Sequence, residues 1–230
     1  MTKSQSSRRK ATQQRSTNWG LIGGLALAGV LLFGGLIVLA LQAREPAARP
    51  SLAAFCAENP ESCIVSGAAD APVSLVEVSD FGCPNCANFH NQTAPLIQEQ
   101  YVEPGQVRWV FVPYALRPET VLAATASMCA AEQDRYEDFV KAMFQVPDDA
   151  VRVTEESFTQ VAQSIGLDMG EFQSCVDSDR FVPVVNDNRQ IASDAGVNGT
   201  PTFFANDNEI VGARPFAVFQ REIEAALSGS

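Results

Sequence analysis

Histidine is nearly missing from this 230-residue chain, in which His90 stands alone. Of the six cysteines only Cys83 and Cys86 form a C-x-x-C; Cys56, Cys63, Cys129 and Cys175 make no second one. A structural zinc site needs four nitrogen or sulfur ligands at compatible spacing, so the pair reads poorly as half of a metal centre and no metal is expected. Positive charge is scarce too, with 16 Lys and Arg against 27 Asp and Glu. Five of those cations (Lys3, Arg8, Arg9, Lys10 and Arg15) fall in residues 1–18, where no acid occurs. The remainder is therefore strongly acidic. That excess argues against nucleic acid as a partner, because phosphate binding wants the opposite sign. Its simplest reading is a soluble, self-repelling surface.

Charge is absent altogether from Leu21 to Leu41. Such a run is long enough to span a bilayer as a helix, and the five cations before it would keep the N-terminus cytoplasmic. A cleaved signal peptide is the competing reading, but signal-peptide apolar cores run about 7–15 residues, which favours an uncleaved anchor. The expected organisation is a basic tail over 1–18, a lipid-embedded anchor over 19–42, a proline-containing linker over 43–53 and one folded domain over 54–230. A linker of this length reaches at most ~40 Å when extended, so the domain would stay close to the membrane, on its outer side. An exported domain permits disulfides. With Cys83–Cys86 set aside, local proximity suggests Cys56–Cys63 and leaves Cys129–Cys175, although six cysteines allow fifteen pairings and four buried free thiols are the alternative.

What is present centres on Cys83-Pro84-Asn85-Cys86. A strand-like run, Val73–Val78, precedes it, and a helix-compatible run begins at Pro84. Cys83 would then sit at a helix N-terminus, where unpaired N–H groups and the helix dipole favour a thiolate. Pro84 suits the first helical turn. Because the thiolate is the attacking species, Cys83 is the expected nucleophile, and Cys86, one turn further in, the buried resolving thiol.

The helix from Pro84 is expected to reach about Tyr101 with a kink at Pro95, and Val107–Val112 to form a second buried strand. Ala53–Ala71 reads as an irregular, stapled loop. Residues 118–195 read as wholly helical, including a helix that Asp168 caps and Leu167 and Phe172 staple. Thr202–Ala205 and Glu209–Val211 read as a hairpin, and Pro215–Leu227 as a closing helix. The fold class is therefore α/β with an all-helical insertion, about 115–196.

That order, with Cys83-Pro84-Asn85-Cys86 after the first strand and Gly199-Thr200-Pro201-Thr202 before the hairpin, resembles the thioredoxin superfamily. The insertion resembles its DsbA-like branch of thiol–disulfide oxidoreductases, membrane-tethered members included. The resemblance implies a cis Pro201 facing the redox pair, with the Thr200 backbone turned toward Cys83 to receive a substrate strand. It also implies that Glu77, six residues before Cys83, is an acid beneath the site able to relay a proton for Cys86, against the alternative of a strand-edge glutamate in solvent. Asp80 is expected nearer the surface, opposing the thiolate. Asn85 departs from the histidine of strongly oxidising members and implies a milder oxidant. His90 is expected to be a packing or surface residue.

The function so implied is oxidation of exported protein thiols, with the pair restored by a membrane quinone-linked reoxidase of the DsbB or vitamin K epoxide reductase type. No organic cofactor is needed, because the sulfurs carry the electrons. The alternatives are a reductase or isomerase working from the dithiol, and a tethered binding module or chaperone with a merely structural Cys83–Cys86 bond.

Overall fold

The computed structural model describes residues 31, 33–37, 49–206 and 208–229. The expected basic tail, most of the expected anchor and residues 43–48 of the expected linker lie outside them. Residues 31 and 33–37 are helical with exposed side chains. Among the described residues no helix is long and apolar enough to cross a membrane. The remaining description concerns the compact unit from Arg49 onward.

Five strands form its sheet: β1 (Ile64–Ser66), β2 (Val73–Ser79), β3 (Val107–Pro113), β4 (Thr202–Ala205) and β5 (Asn208–Val211), in the order β1-β3-β2-β4-β5. β2 and β3 run parallel in the centre, and the other pairings are antiparallel. Side chains alternate across a strand, so Leu75, Trp109 and Phe203 face one core while Val76, Val78 and Val110 face a second. A central strand buried on both faces reads as a nearly continuous apolar run, and Glu77 interrupts it on the Leu75 side.

The segment expected as an irregular loop is regular. Leu52–Glu58 is a helix (α1), Pro60–Ser62 one 3-10 turn, and Ile64–Ser66 pairs with β3. Leu52 is buried, so the folded unit takes in residues expected at the end of the linker. These elements carry no sequence signal because each is too short to show a decisive period. The Cys56–Cys63 and Cys129–Cys175 bridges are both present.

After β2, helix α2 spans Pro84–Gln92 and ends at Thr93, and Pro95 starts a short second piece, α3 (Ala94–Ile97). The helix expected to kink at Pro95 is thus interrupted at Thr93, which keeps helical backbone bonds to Phe89 and Ile97, and a π turn follows over Gln98–Val102. Between β3 and β4 lies the helical insertion: α4 (Val121–Ala131), α5 (Tyr136–Gln145), α6 (Asp149–Arg152), α7 (Glu155–Ser164), α8 (Met169–Asp177) and α9 (Val182–Asp194). α4 is buried from Ala123 to Ala130, the mark of a helix enclosed on all sides. The Asp168 carboxylate caps α8 by accepting from the Glu171 N–H. The final helix, α10, spans Phe216–Ser228.

Candidate active site

Cys83 is the N-cap of α2, with Pro84 in the first turn. Its sulfur is partly exposed, whereas Cys86 is wholly buried, and both are free thiols here. The Thr200–Pro201 bond is cis, and the Cys83 thiol donates to the Thr200 carbonyl across 3.3 Å. Residues 117 apart in sequence therefore meet at the sulfur. The Thr200 hydroxyl is buried without a hydrogen-bond partner of ordinary geometry, and it becomes a donor to the sulfurs once one of them ionises.

These surroundings split the two thiols. The pKa of Cys83 is lowered from 9.0 to about 6. The Cys86 thiol donating to it is the largest cause; partial burial opposes this, and the Thr200 hydroxyl and the N–H groups of Cys86 and Asn85 add to it. The N–H groups of the helix N-terminus, expected to favour the thiolate, thus do so but rank behind the partner thiol. Burial pushes Cys86 well above its ordinary value, and the adjacent Cys83 sulfur pushes it the same way. The Asp80 N–H, 3.5 Å from the Cys86 sulfur, works weakly against that.

Glu77 does not point to solvent. It is 1% exposed and accepts hydrogen bonds from Trp109 Nε1 at 2.9 Å, from the Ser79 hydroxyl and from His90 Nε2 at 2.7 Å. His90 is correspondingly enclosed, its ring stacked on Phe144 with centroids 4.3 Å apart. Asp80, expected nearer the surface, is also 1% exposed. Its carboxylate turns away from the sulfurs and into three donors: the Gly82 N–H and the Leu116 N–H, each at 2.7 Å, and the Thr120 hydroxyl at 2.6 Å. A charged acceptor so satisfied is stabilised in place.

Two further groups hold the same loop, and nothing in the sequence had marked them. Buried Arg152 donates to the Phe81 carbonyl at 2.9 Å, and also to the Val146 carbonyl and the Asp149 carboxylate. Arg117 donates to the Gly82 carbonyl at 3.2 Å. A side chain at Gly82 would be crowded, since an added Cβ would stand 2.8 Å from both Arg117 Nη2 and Thr120 Cγ2. One missed signal was legible. His90 follows Cys86 by four residues, which stacks the two side chains on one face of a helix.

The arrangement can therefore form and break a disulfide, with an accessible stabilised thiolate, a buried partner and a backbone edge beside them. Residues 59–225 match the family model described as Thioredoxin. The chain is 28% identical over 171 residues to disulfide bond formation protein D of Bacillus subtilis, covering 72% of this chain and 77% of that one. The oxidised crystal structure of Bacillus subtilis BdbD superposes with a TM-score of 0.65 at 27% identity, over 71% of this chain and 92% of that one. Alpha-DsbA1 of Wolbachia pipientis shares the fold, with a TM-score of 0.64 at 23% identity, over 72% and 90% of the two chains. By sequence, fold and the paired thiols beside a cis-proline, the chain belongs to the thioredoxin family, as a thiol–disulfide oxidoreductase of the DsbA type.

Proposed function

We propose that this protein is a membrane-anchored oxidant that passes the Cys83–Cys86 disulfide to the thiols of exported proteins. The observation that carries this reading is the division between the sulfurs: Cys83 accessible with its pKa lowered to about 6, Cys86 buried and raised. A substrate thiolate attacks Cys83; the new sulfur–sulfur bond forms as the old one breaks, and its electron pair leaves on Cys86. A second substrate thiolate then attacks the substrate sulfur, and Cys83 leaves as the stabilised thiolate. The substrate loses two electrons and the protein gains them. Stabilising the reduced form in this way makes a protein an oxidant.

The backbone at Thr200 receives an extended substrate chain, and a membrane quinone-linked oxidase of the DsbB or vitamin K epoxide reductase type takes the electrons away. Residues 19–42 hold the domain on the outer face of the cell membrane, N-terminus inward. A thiol pKa near 6 lies between about 7 for thioredoxin and about 3.5 for DsbA. The reduction potential should accordingly fall between about −270 and −120 mV. A value at or below that of thioredoxin would sink the oxidant reading in favour of a reductase or isomerase. Cys86→Ala should accumulate mixed disulfides through Cys83, which a binding module would not form. Removing residues 1–48 should release the domain from the membrane fraction.

A further inference from the structure

Beneath the redox pair the structure carries a route that the exchange chemistry described so far does not use. A cleft of about 400 Å³ opens to solvent between α2, α3, β3 and α5, and His90, Trp109 and Phe111 are among its lining residues. Glu103, Glu137 and Lys141 line it as well. His90 and Trp109 both connect this solvent space to buried Glu77, at 2.7 and 2.9 Å, and of the two only the imidazole can take up and release a proton. Cys86 lies one helical turn before His90 on α2, so the carboxylate that meets His90 stands on the Cys86 side of the sheet.

Opening the disulfide leaves an electron pair on Cys86, a sulfur with no exposure to solvent. It has to take up a proton, and burial makes the demand strong. We propose that His90 supplies this proton through Glu77 and is itself recharged from the cleft, which makes it a positioning residue for the acid that serves Cys86. As the S–S bond breaks, the His90 imidazolium passes its proton to the Glu77 carboxylate, and the carboxyl so formed gives it to the Cys86 thiolate. Cleft water then returns a proton to the imidazole. One proton enters from solvent for each disulfide opened, and no further oxidant or reductant is needed.

The charged and titratable groups around the pair are few. Glu77 faces His90 from β2. Tyr136, buried on α5, feels the Glu77 charge and is raised first by burial and then by that charge. Glu103, Glu137, Asp138 and Lys141 sit around the cleft. The Phe144 ring covers the His90 face and offers no proton.

The proposal rests on the thiol–disulfide exchange reading but not on its direction. The test follows opening of the Cys83–Cys86 bond by dithiothreitol in the full-length protein, with each rate divided by the concentration of dithiothreitol thiolate at that pH. The wild-type constant should fall in one step as pH rises, because the proton that His90 passes on becomes scarce. His90→Gln keeps a donor to Glu77 but holds no proton to transfer. It should lose this pH step and react at least about tenfold more slowly below it, less than the 10²–10⁴ that general acid catalysis typically contributes. His90→Ala should regain the step when free imidazole enters the cleft.

A His90→Gln profile within about twofold of wild type overturns the proposal, and so does a wild-type constant without a pH step. Where His90→Ala folds, failure of imidazole to restore any rate overturns it too; where it does not fold, the glutamine variant decides. A potential that contradicts the oxidant reading leaves this comparison intact. Conversely, a silent His90 leaves the mixed disulfides of Cys86→Ala in place.

Discussion

Residues 80–83 are covered by two regions of contrasting make-up. On the sheet side stands the loop before β4, which offers Cys83 a carbonyl and a hydroxyl from Thr200 and carries no charge there. On the other side stands the helical insertion with its approach from β3, and it reaches the loop through charged and polar groups. The Leu116 N–H and the Thr120 hydroxyl hold the Asp80 carboxylate, Arg152 the Phe81 carbonyl and Arg117 the Gly82 carbonyl. The reacting atoms thus belong to the sheet region, and the restraint on them to the insertion. Neutral groups near the sulfur leave it free to change charge, whereas charged groups fix backbone that has to stay still.

The contrast breaks first if the insertion loses its own brace. Cys129–Cys175 closes 46 residues between α4 and α8, and removing it as Cys129→Ala/Cys175→Ala should cost about 4 kcal/mol on the chain-entropy model. Thermal unfolding of the double variant would show it, and a loss near zero would mean that packing around α4 suffices. Arg152→Met is next. It strips the Phe81 and Val146 carbonyls of a buried charged donor and should cost about 3 kcal/mol. Exchange should slow further than the lost stability explains, as measured under conditions where the variant is fully folded. If activity per folded molecule is unchanged, the insertion covers the loop without steering it. Gly82→Ala should cost about 2 kcal/mol through overpacking against Arg117 and Thr120, read from denaturant midpoints. Adding Arg117→Ala should return part of that loss if the crowding is as described.

The difference between the regions also explains what could be read in the sequence. β2 and β3 announced themselves, because strands buried on both faces are nearly unbroken apolar runs, and the hairpin did so through its Asn-Asp-Asn turn at 206–208. The cis-proline loop was legible only through resemblance, since no local rule brings Thr200 to Cys83. The short helix α1 and strand β1 were missed because seven residues and three residues show no decisive period. Asp80 was misplaced for a related reason. An acid at a strand end reads as solvated until the donors at 116 and 120 are known to fold over it. Arg152 carried no signal at all. A buried arginine is recognised by the carbonyls it serves, and these lie six and 71 residues away.

The smallest expected effect tests the neutral side. Thr200→Val removes the hydroxyl but keeps the backbone carbonyl that accepts from Cys83. One neutral hydrogen bond is worth about 0.5–1.5 kcal/mol, so the Cys83 pKa should rise from about 6 by about half a unit to one unit. Ultraviolet absorbance of the thiolate would follow this directly. The folded value lies below the ordinary value of 9.0. The stability that ionisation lends the reduced form is therefore complete above the higher value, shrinks as pH falls, and is lost below the lower one. The variant moves only the lower edge of that window upward. Its reduced form should lose stability relative to the oxidised form at every pH above the window's lower edge, and be unchanged well below it. An unmoved titration would leave the Cys86 thiol and the helix N–H groups as the whole cause. The neutral side would then act on the sulfur through backbone alone.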